Sequence, residues 1–272
     1  MEKFLHFFEV MPLWQKAGWI IFCLAVCWAL EGNFPLFQFP YKKWKHARVN
    51  FVFLITSVTI NAIFGIATVG VFEWISRKQI GIIHWIEMPL WLQLIVSLFI
   101  FELIAQYLVH VLLHKFKWMW KFHMIHHSDT HLDVTSGTRH HPGDYVLREV
   151  FALIAVLVLG APVAFYFFYR ILTIFFTYFT HANIYLPVWL DKPLSYIFIT
   201  PNAHKFHHHY KRPWTDTNFG NMFSVWDRLF GTFVYEDPKK IRYGLDVLDD
   251  KTDEDLGYQF GIPFNKNIKT DY

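Results

Sequence analysis

The chain has 272 residues, of which 54% are hydrophobic, 20% aromatic and only 17% charged, with a formal net charge of +3. Globular proteins average about 25% charged residues, so this composition excludes a disordered chain, a fibrous repeat and a nucleic-acid binder held by net charge. Sixteen histidines stand out against that apolar background.

Four stretches are long or apolar enough to enter a bilayer, which takes about 20 apolar residues as helix. The first runs from Ala17 to Leu30, loosely extended by the preceding FFEVMPLWQK. It carries both cysteines, Cys23 and Cys27, which four-residue spacing in an apolar run marks as small core-filling residues rather than a disulfide framework. No A-x-A-like cleavage site follows, so the run is expected to be an anchor and not a signal peptide. The second stretch is Phe51 to Trp74. The third is Met88 to His114, with Pro89 near the first helical position, where proline is tolerated. The fourth, Val146 to Thr180, is broken by Gly160, Ala161 and Pro162 and is expected to fold as a hairpin of two shorter helices.

Loop charges orient these spans. Lys42, Lys43, Lys45 and Arg48 lie between the first two, and Lys115, Lys117 and Lys121 follow the third, whereas the intervening loop carries only Arg77 and Lys78. The positive-inside rule puts the lysine-rich ends in the cytoplasm and the N-terminus outside. The last residues turn polar and acidic, and are expected to form solvated surface.

Thirteen of the sixteen histidines fall between His110 and His209. His110 and His114 are spaced i, i+4, one above the other on a helix. His123, His126 and His127 form an i, i+3, i+4 triplet, and His204, His207 and His208 form another. Imidazoles crowded on one helical face are unfavourable unless something holds them, and a metal does so by accepting neutral ring lone pairs. Eight rings in three clusters exceed the needs of one ion and fit two. Glu102, Gln106, His110 and His114 also recur every four residues along the third span, a polar stripe at membrane depth. Glu102 is expected to serve either a network behind the ligands or helix packing, being too far along the axis from His110 to be a ligand itself.

These boxes, with the segments KFHMIHHSDTHLDVTSGTRHHPGDY, THANIYLP, TPNAHKFHHHY and TNFGNMFSVWDRLFGTF, resemble the fatty acid hydroxylase/sterol desaturase superfamily of integral-membrane di-iron oxygenases, in its bacterial branch. The resemblance runs from about Val96 to Phe233. It implies an all-α integral membrane fold whose four membrane-entering segments carry a cytosolic, histidine-rich helical cap. Residues 1–95 would be anchoring spans, 96–235 the catalytic region and 236–272 an acidic tail. The implied metal ligands are His110, His114, His123, His126, His127, His141, His181, His204, His207 and His208. His131, His140 and His209 fall at positions the family does not require. Carboxylates and amides expected to orient the rings are Glu102, Asp129, Asp144, Asp216 and Asn218, with Asn183 and Asp227 as further options.

The resemblance further implies two Fe2+ ions, O2 as co-substrate, a lipid substrate, and electrons from a separate ferredoxin, cytochrome b5-like protein or reductase; nucleic acid is not an expected partner. The expected reaction is hydroxylation or desaturation of an aliphatic C–H bond on a fatty acyl, sterol-like or ether lipid, in a multi-pass membrane protein with its site on the cytoplasmic side. Two other classes fit less well. A bis-histidine haem electron carrier needs histidine pairs on facing spans, whereas these gather at one end. A metal transporter or zinc hydrolase would call for an intramembrane acidic pathway or HExxH, and the chain lacks the latter.

Overall fold

The computed structural model describes residues 1–249 and 252–270, and among them the regular elements are all helical. Helix α1 (Glu2–Glu9) is separated from α2 (Leu13–Asn33) by Val10, Met11 and Pro12. Pro12 sits extended (ψ 158°) as the residue before α2, so the N-terminal apolar run is two helices and not one extended span. Helix α3 (Lys43–Lys78) outruns the expected Phe51–Trp74 at both ends. Its 36 residues rise about 54 Å, well beyond the ~30 Å hydrocarbon core. Its charged ends can therefore stay in the interfaces.

The third span is continuous from Leu90 to Lys115. It consists of α4 (Leu90–Glu102), a π-helical stretch over Leu103–Leu108, and α5 (Val109–Lys115). Pro89 stands one residue outside the helix, extended, so its ring needs no helical hydrogen bond. The wider π turns offset the drift that a four-residue repeat accumulates against 3.6 residues per turn. This is how Glu102 and the His110/His114 pair can both face the interior, where all three are buried. The expected hairpin is present: α7 (Pro142–Leu159) ends at Gly160 (φ 69°) and α8 (Val163–His181) begins after Pro162. A Cβ on Gly160 would lie 2.1 Å from the Ile80 carbonyl oxygen, so only glycine fits that crossing.

Among the described residues, four helices are long and apolar enough to cross a membrane: Leu13–Asn33, Lys43–His84, Leu90–Lys115 and Val163–His181. Helix α7 has the length but carries Asp144, Arg148 and Glu149, and it packs against α3 and the π stretch with Asp144 and Glu149 buried. One core, around Phe101, Val156, Phe165 and Tyr169, holds the far half of the bundle together; a second, around Phe53, Trp120, Met124 and Ile125, closes the histidine end. Exposed tryptophans mark both ends. Trp14, Trp74, Trp85 and Trp91 ring the far one, and Trp44, Trp118 and Trp189 the histidine one, the pattern of two membrane–water interfaces.

The histidine end is roofed by α6 (Lys117–His127), α9 (Val188–Leu194), α10 (Pro201–His207), α11 (Val225–Leu229) and α12 (Leu256–Gly261). The C-terminal segment is not the solvated surface its charge suggests. Leu245 and Ile262 pack into the core around Trp120, Phe260 stacks on Phe53 at 4.9 Å, and the Ser128 hydroxyl donates to Gln259 Oε1 at 2.8 Å. Its carboxylates occupy loop tips, where Glu254 pairs with Lys45 at 2.6 Å. Asp250, Lys251, Asp271 and Tyr272 of the expected acidic tail lie outside the described residues.

Candidate metal centre

Because α7 runs back through the bundle between them, α5 and α8 run parallel and bring their C-terminal ends to the same end. There α6 and α10 lay their histidine triplets across them. The imidazole nitrogens converge in two groups, His110, His114, His123, His127 and His207 in one and His126, His181, His204 and His208 in the other, with the donor atoms of each group within 4.8 Å of one another. All nine rings are buried. In the first group His123 Nε2 lies 3.0 Å from His110 Nε2 and 3.2 Å from His127 Nε2. In the second, His181 Nε2 is the hub, 3.1 Å from His126 Nε2 and 3.2 Å from both His204 Nε2 and His208 Nε2.

The outward nitrogens explain why these lone pairs point inward. His110 Nδ1 donates to the Phe219 carbonyl at 2.7 Å and His207 Nδ1 to the Thr217 carbonyl at 2.8 Å. His181 Nδ1 donates to the Thr177 carbonyl at 2.7 Å. His123 Nδ1 faces Asp144 Oδ2 and His114 Nδ1 faces Asp216 Oδ1, each at 3.2 Å. A carbonyl or carboxylate on Nδ1 fixes the tautomer and leaves Nε2 as the ligand atom. His207 Nε2 is buried with no hydrogen-bond partner among the described residues, a position that costs free energy unless an acceptor of its lone pair is supplied.

Burial sets the charge state. It pushes the His123 ring down to about 3 despite the opposing pull of Asp144. His126, His127, His204, His207 and His208 are held well below the ordinary imidazole value, first by burial and then by their neighbours' rings. Neutral, nitrogen-only, convergent donors suit a borderline transition-metal ion. Two nitrogens on one ion at about 2.1 Å and at right angles would be about 3 Å apart, the spacing found at both hubs.

Nine of the ten expected ligand positions are brought together and His141 is not. Pro142 opens α7, so His141 becomes its N-cap, and His141 Nδ1 accepts from the Gly143 amide at 3.0 Å while the ring packs among Phe122, Phe260 and Phe264. Its neighbour His140, absent from the expected set, stacks on His126 with centroids 4.4 Å apart and places Nδ1 2.7 Å from Asp144 Oδ2. The four-residue spacing from His140 to Asp144 was the available signal.

Of the expected orienting residues, Asp144 and Asp216 touch rings directly. Arg148 holds the other Asp144 oxygen at 3.1 Å, and Arg212 the other Asp216 oxygen at 3.1 Å. Glu102, Asn218 and Asp227 act one step back, on the loop whose carbonyls hold His110 and His207. Glu102 Oε1 accepts the Asn221 and Met222 amides at 2.8 and 2.6 Å, and Asp227 accepts those of Phe219 and Gly220, each at 2.8 Å. Asn218, in the left-handed region at φ 52°, donates to the Ala203 and Val234 carbonyls. Burial raises Asp227 to about 6, against the pull of Thr232 and the two amides.

Asp129 lies apart from the rings. It meets His46 Nε2 at 3.3 Å and accepts from the Ser136 hydroxyl at 2.6 Å, and Asp133 beside it accepts from the Tyr41 hydroxyl at 2.5 Å. This buried network ties the start of α3 to the loop after α6; His46 was not foreseen, being more than 80 residues from its partner. Asn183 likewise braces the α2–α3 connection, donating to the Phe37 carbonyl at 2.8 Å. His131 and His209 remain outside both groups, and Cys23 and Cys27 are free and buried.

Two buried polyhistidine sets at one interface of a helical membrane bundle define a membrane protein of the histidine-box type. The fatty acid hydroxylase family matches residues 94–232, half the chain, and the chain belongs to that family. It is 33% identical over 147 residues to the ornithine lipid hydroxylase OlsE of Rhizobium tropici, a match covering 54% of this chain and 43% of that one. Alkylglycerol monooxygenases are also similar: that of Caenorhabditis elegans is 27% identical over 163 residues, covering 59% of this chain and 31% of its own. The human enzyme is 27% identical over 139 residues, covering 51% and 30%. The matches thus span less than half the length of these relatives. No solved structure matches the chain.

Proposed function

We propose that the chain is a membrane-bound, O2-dependent lipid hydroxylase with two iron ions. His110, His114, His123, His127 and His207 would hold one, and His126, His181, His204 and His208 the other. The observation that carries this is the pair of buried, convergent imidazole sets, five rings of which (His110, His114, His123, His181 and His207) have their tautomers fixed from behind. When bound, the irons supply O2 activation and the removal of a hydrogen atom from an unactivated carbon.

The balance is one aliphatic C–H bond, one O2, two electrons and two protons in, and one alcohol and one water out. The chain's own residues bind, orient and exclude. Asp144 and Asp216 receive the outward nitrogens of His123 and His114, so neither ring can turn its Nε2 away. Glu102, Asp227 and Asn218 hold the 217–222 loop, so its carbonyls can do the same for His110 and His207. The roof of α6, α10 and the C-terminal segment excludes bulk water, limiting loss of the oxidant to solvent. The electrons come from a separate protein such as a ferredoxin, a cytochrome b5-like protein or a reductase. The lysine-rich loops favour a cytoplasmic site, with the lipid's polar head at that interface and its chain in the bilayer. The hydroxylase and monooxygenase relatives favour an alcohol over an alkene as product.

Lipid extracts of cells expressing the chain, compared by mass spectrometry with cells carrying His123→Ala, test this. A lipid class shifted by +16 Da and lost in the variant, with folded variant protein still in the membrane, is the expected result. A −2 Da shift would replace hydroxylation by desaturation, and an unchanged lipid profile would overturn the reading.

A further inference from the structure

The histidine centre leaves unused a cavity of about 970 Å³ at the opposite end of the bundle. That volume is at the upper end of the ~300–1,000 Å³ range of small-molecule sites. Its floor is apolar, with Val69, Phe72, Val163 and Phe167, and its rim carries Arg77 and His84 among the carboxylates of Glu9 and Glu73. The walls come from α3, the turn after it, the start of the third span, the α7–α8 connection and Glu9 of α1. Two glycines let the turn after α3 and the α7–α8 connection press together at one side of it. A Cβ on Gly81 (φ 115°) would lie 2.4 Å from Gly160 N, and one on Gly160 would strike Ile80.

Depth identifies the occupant. Asn50 bonds Thr135 at the histidine end, and Val69, nineteen residues further along α3, is about 28 Å away along the axis. The hydrocarbon core is about 30 Å thick, so Val69 lies at its far edge, where the acyl chains of the far leaflet meet their headgroups. The rim lies at headgroup depth, where Trp74, Trp85 and Trp91 are exposed, as tryptophan is at membrane interfaces. Water would forfeit hydrogen bonds against the apolar floor, and an empty cavity would forfeit dispersion contacts. An acyl chain below and a phosphate beside Arg77 satisfy both levels. Glu73 Oε2 stands 3.9 Å from the Arg77 guanidinium, a long contact of an exposed pair that leaves the guanidinium donors open to a phosphate.

We propose that this cavity is a binding site for one glycerophospholipid of the leaflet opposite the histidine clusters, chains on the Val69–Phe167 floor and phosphodiester at Arg77. The lipid completes the packing of the five segments that wall the cavity. The proposal is independent of the chemistry assigned to the histidine end.

Native mass spectrometry of the full chain, purified in mild detergent and incubated with palmitoyl-oleoyl phosphatidylglycerol, tests it. One lipid per chain should survive detergent removal. Filling the cavity with Val69→Trp or Ser76→Trp should lower the retained fraction at least fivefold, whereas Ile66→Trp on the exposed outer face of α3 should leave it unchanged. Arg77→Gln, an exposed change that leaves the packing intact, should lower retention of phosphatidylglycerol but not of a diacylglycerol with the same chains. Absence of a lipid adduct, an adventitious detergent adduct only, or equal retention in Val69→Trp, Ser76→Trp and Arg77→Gln would each overturn the proposal.

Discussion

The two histidine sets are built from the same residue yet held differently. In the five-membered set, His110, His114, His123 and His207 each anchor Nδ1 on a carbonyl or carboxylate. In the four-membered set, His181 alone among the described residues has such an anchor, and His126 Nδ1 and His204 Nδ1 are buried without a partner among them, as is His127 Nδ1, the one exception in the five-membered set. Rings fixed in advance lose less freedom when they bind, so preorganisation strengthens binding without adding contacts. The five-membered set should therefore bind metal more tightly and fill first. The four-membered set should owe more of its order to the ion it holds, with His181 as its fixed point.

Removing anchors would break this contrast. Asp144→Asn takes the acceptor from His123 and His140 together, and should weaken metal binding to the five-membered set by about 10–100-fold, measured by competition with a chelator. Asp216→Asn removes the His114 anchor, but at a carboxylate 35% exposed. Solvent screens it, and the loss should fall near about tenfold, the lower bound for such partners. An effect from Asp216→Asn as large as that from Asp144→Asn would show that solvent does not weaken the exposed anchor, and no effect from either would show that preorganisation is not what separates the sets.

Metal removal exposes the same asymmetry through pH. Burial keeps His123 near 3 in the folded state, against about 6.5 for a free imidazole. Below pH ~6.5 the unfolded chain takes up protons that the folded chain refuses, so metal-free protein loses stability as pH falls from there towards 3. Ions bound to the ring lone pairs compete with those protons and protect the loaded protein down to lower pH. Thermal unfolding of both forms between pH 7.5 and 5 should show curves that diverge as pH falls; parallel curves would mean the rings are not metal-bound.

The smallest effect separates adjacent histidines. His141→Ala removes a helix-capping acceptor and should cost about 0.5–2 kcal/mol of stability while leaving metal content unchanged. His140→Ala should instead disturb the metal-bound spectrum through Asp144 and the His126 ring. A loss of metal on His141→Ala would restore that residue to the site.

Much of this arrangement was legible in the chain. Spacings of three and four residues announce rings on one helical face, and the Gly160–Pro162 break announces the hairpin. What could not be read was direction. His140 and His141 are neighbours with identical side chains; the helix start at Pro142 turns one into a cap and leaves the other against His126. Asp129 follows the second box as closely as a ring-orienting carboxylate should, but its partner, His46, arrives from another span. The C-terminal segment looked solvated because its many charges hide how Leu245, Phe260 and Ile262 alternate with them and enter the core around Trp120. The π stretch that keeps Glu102 in phase with His110 has no signature beyond the four-residue stripe itself.

Iron analysis of purified protein, wild type beside His181→Ala, bears most directly on the two-set arrangement. His181 is the hub of the four-membered set, its one anchored ring among the described residues, and lies outside the other set, so iron should fall from two ions per chain to one, with the remaining ion held as tightly as before. Two ions retained in His181→Ala, or a single ion in the wild type, would contradict it.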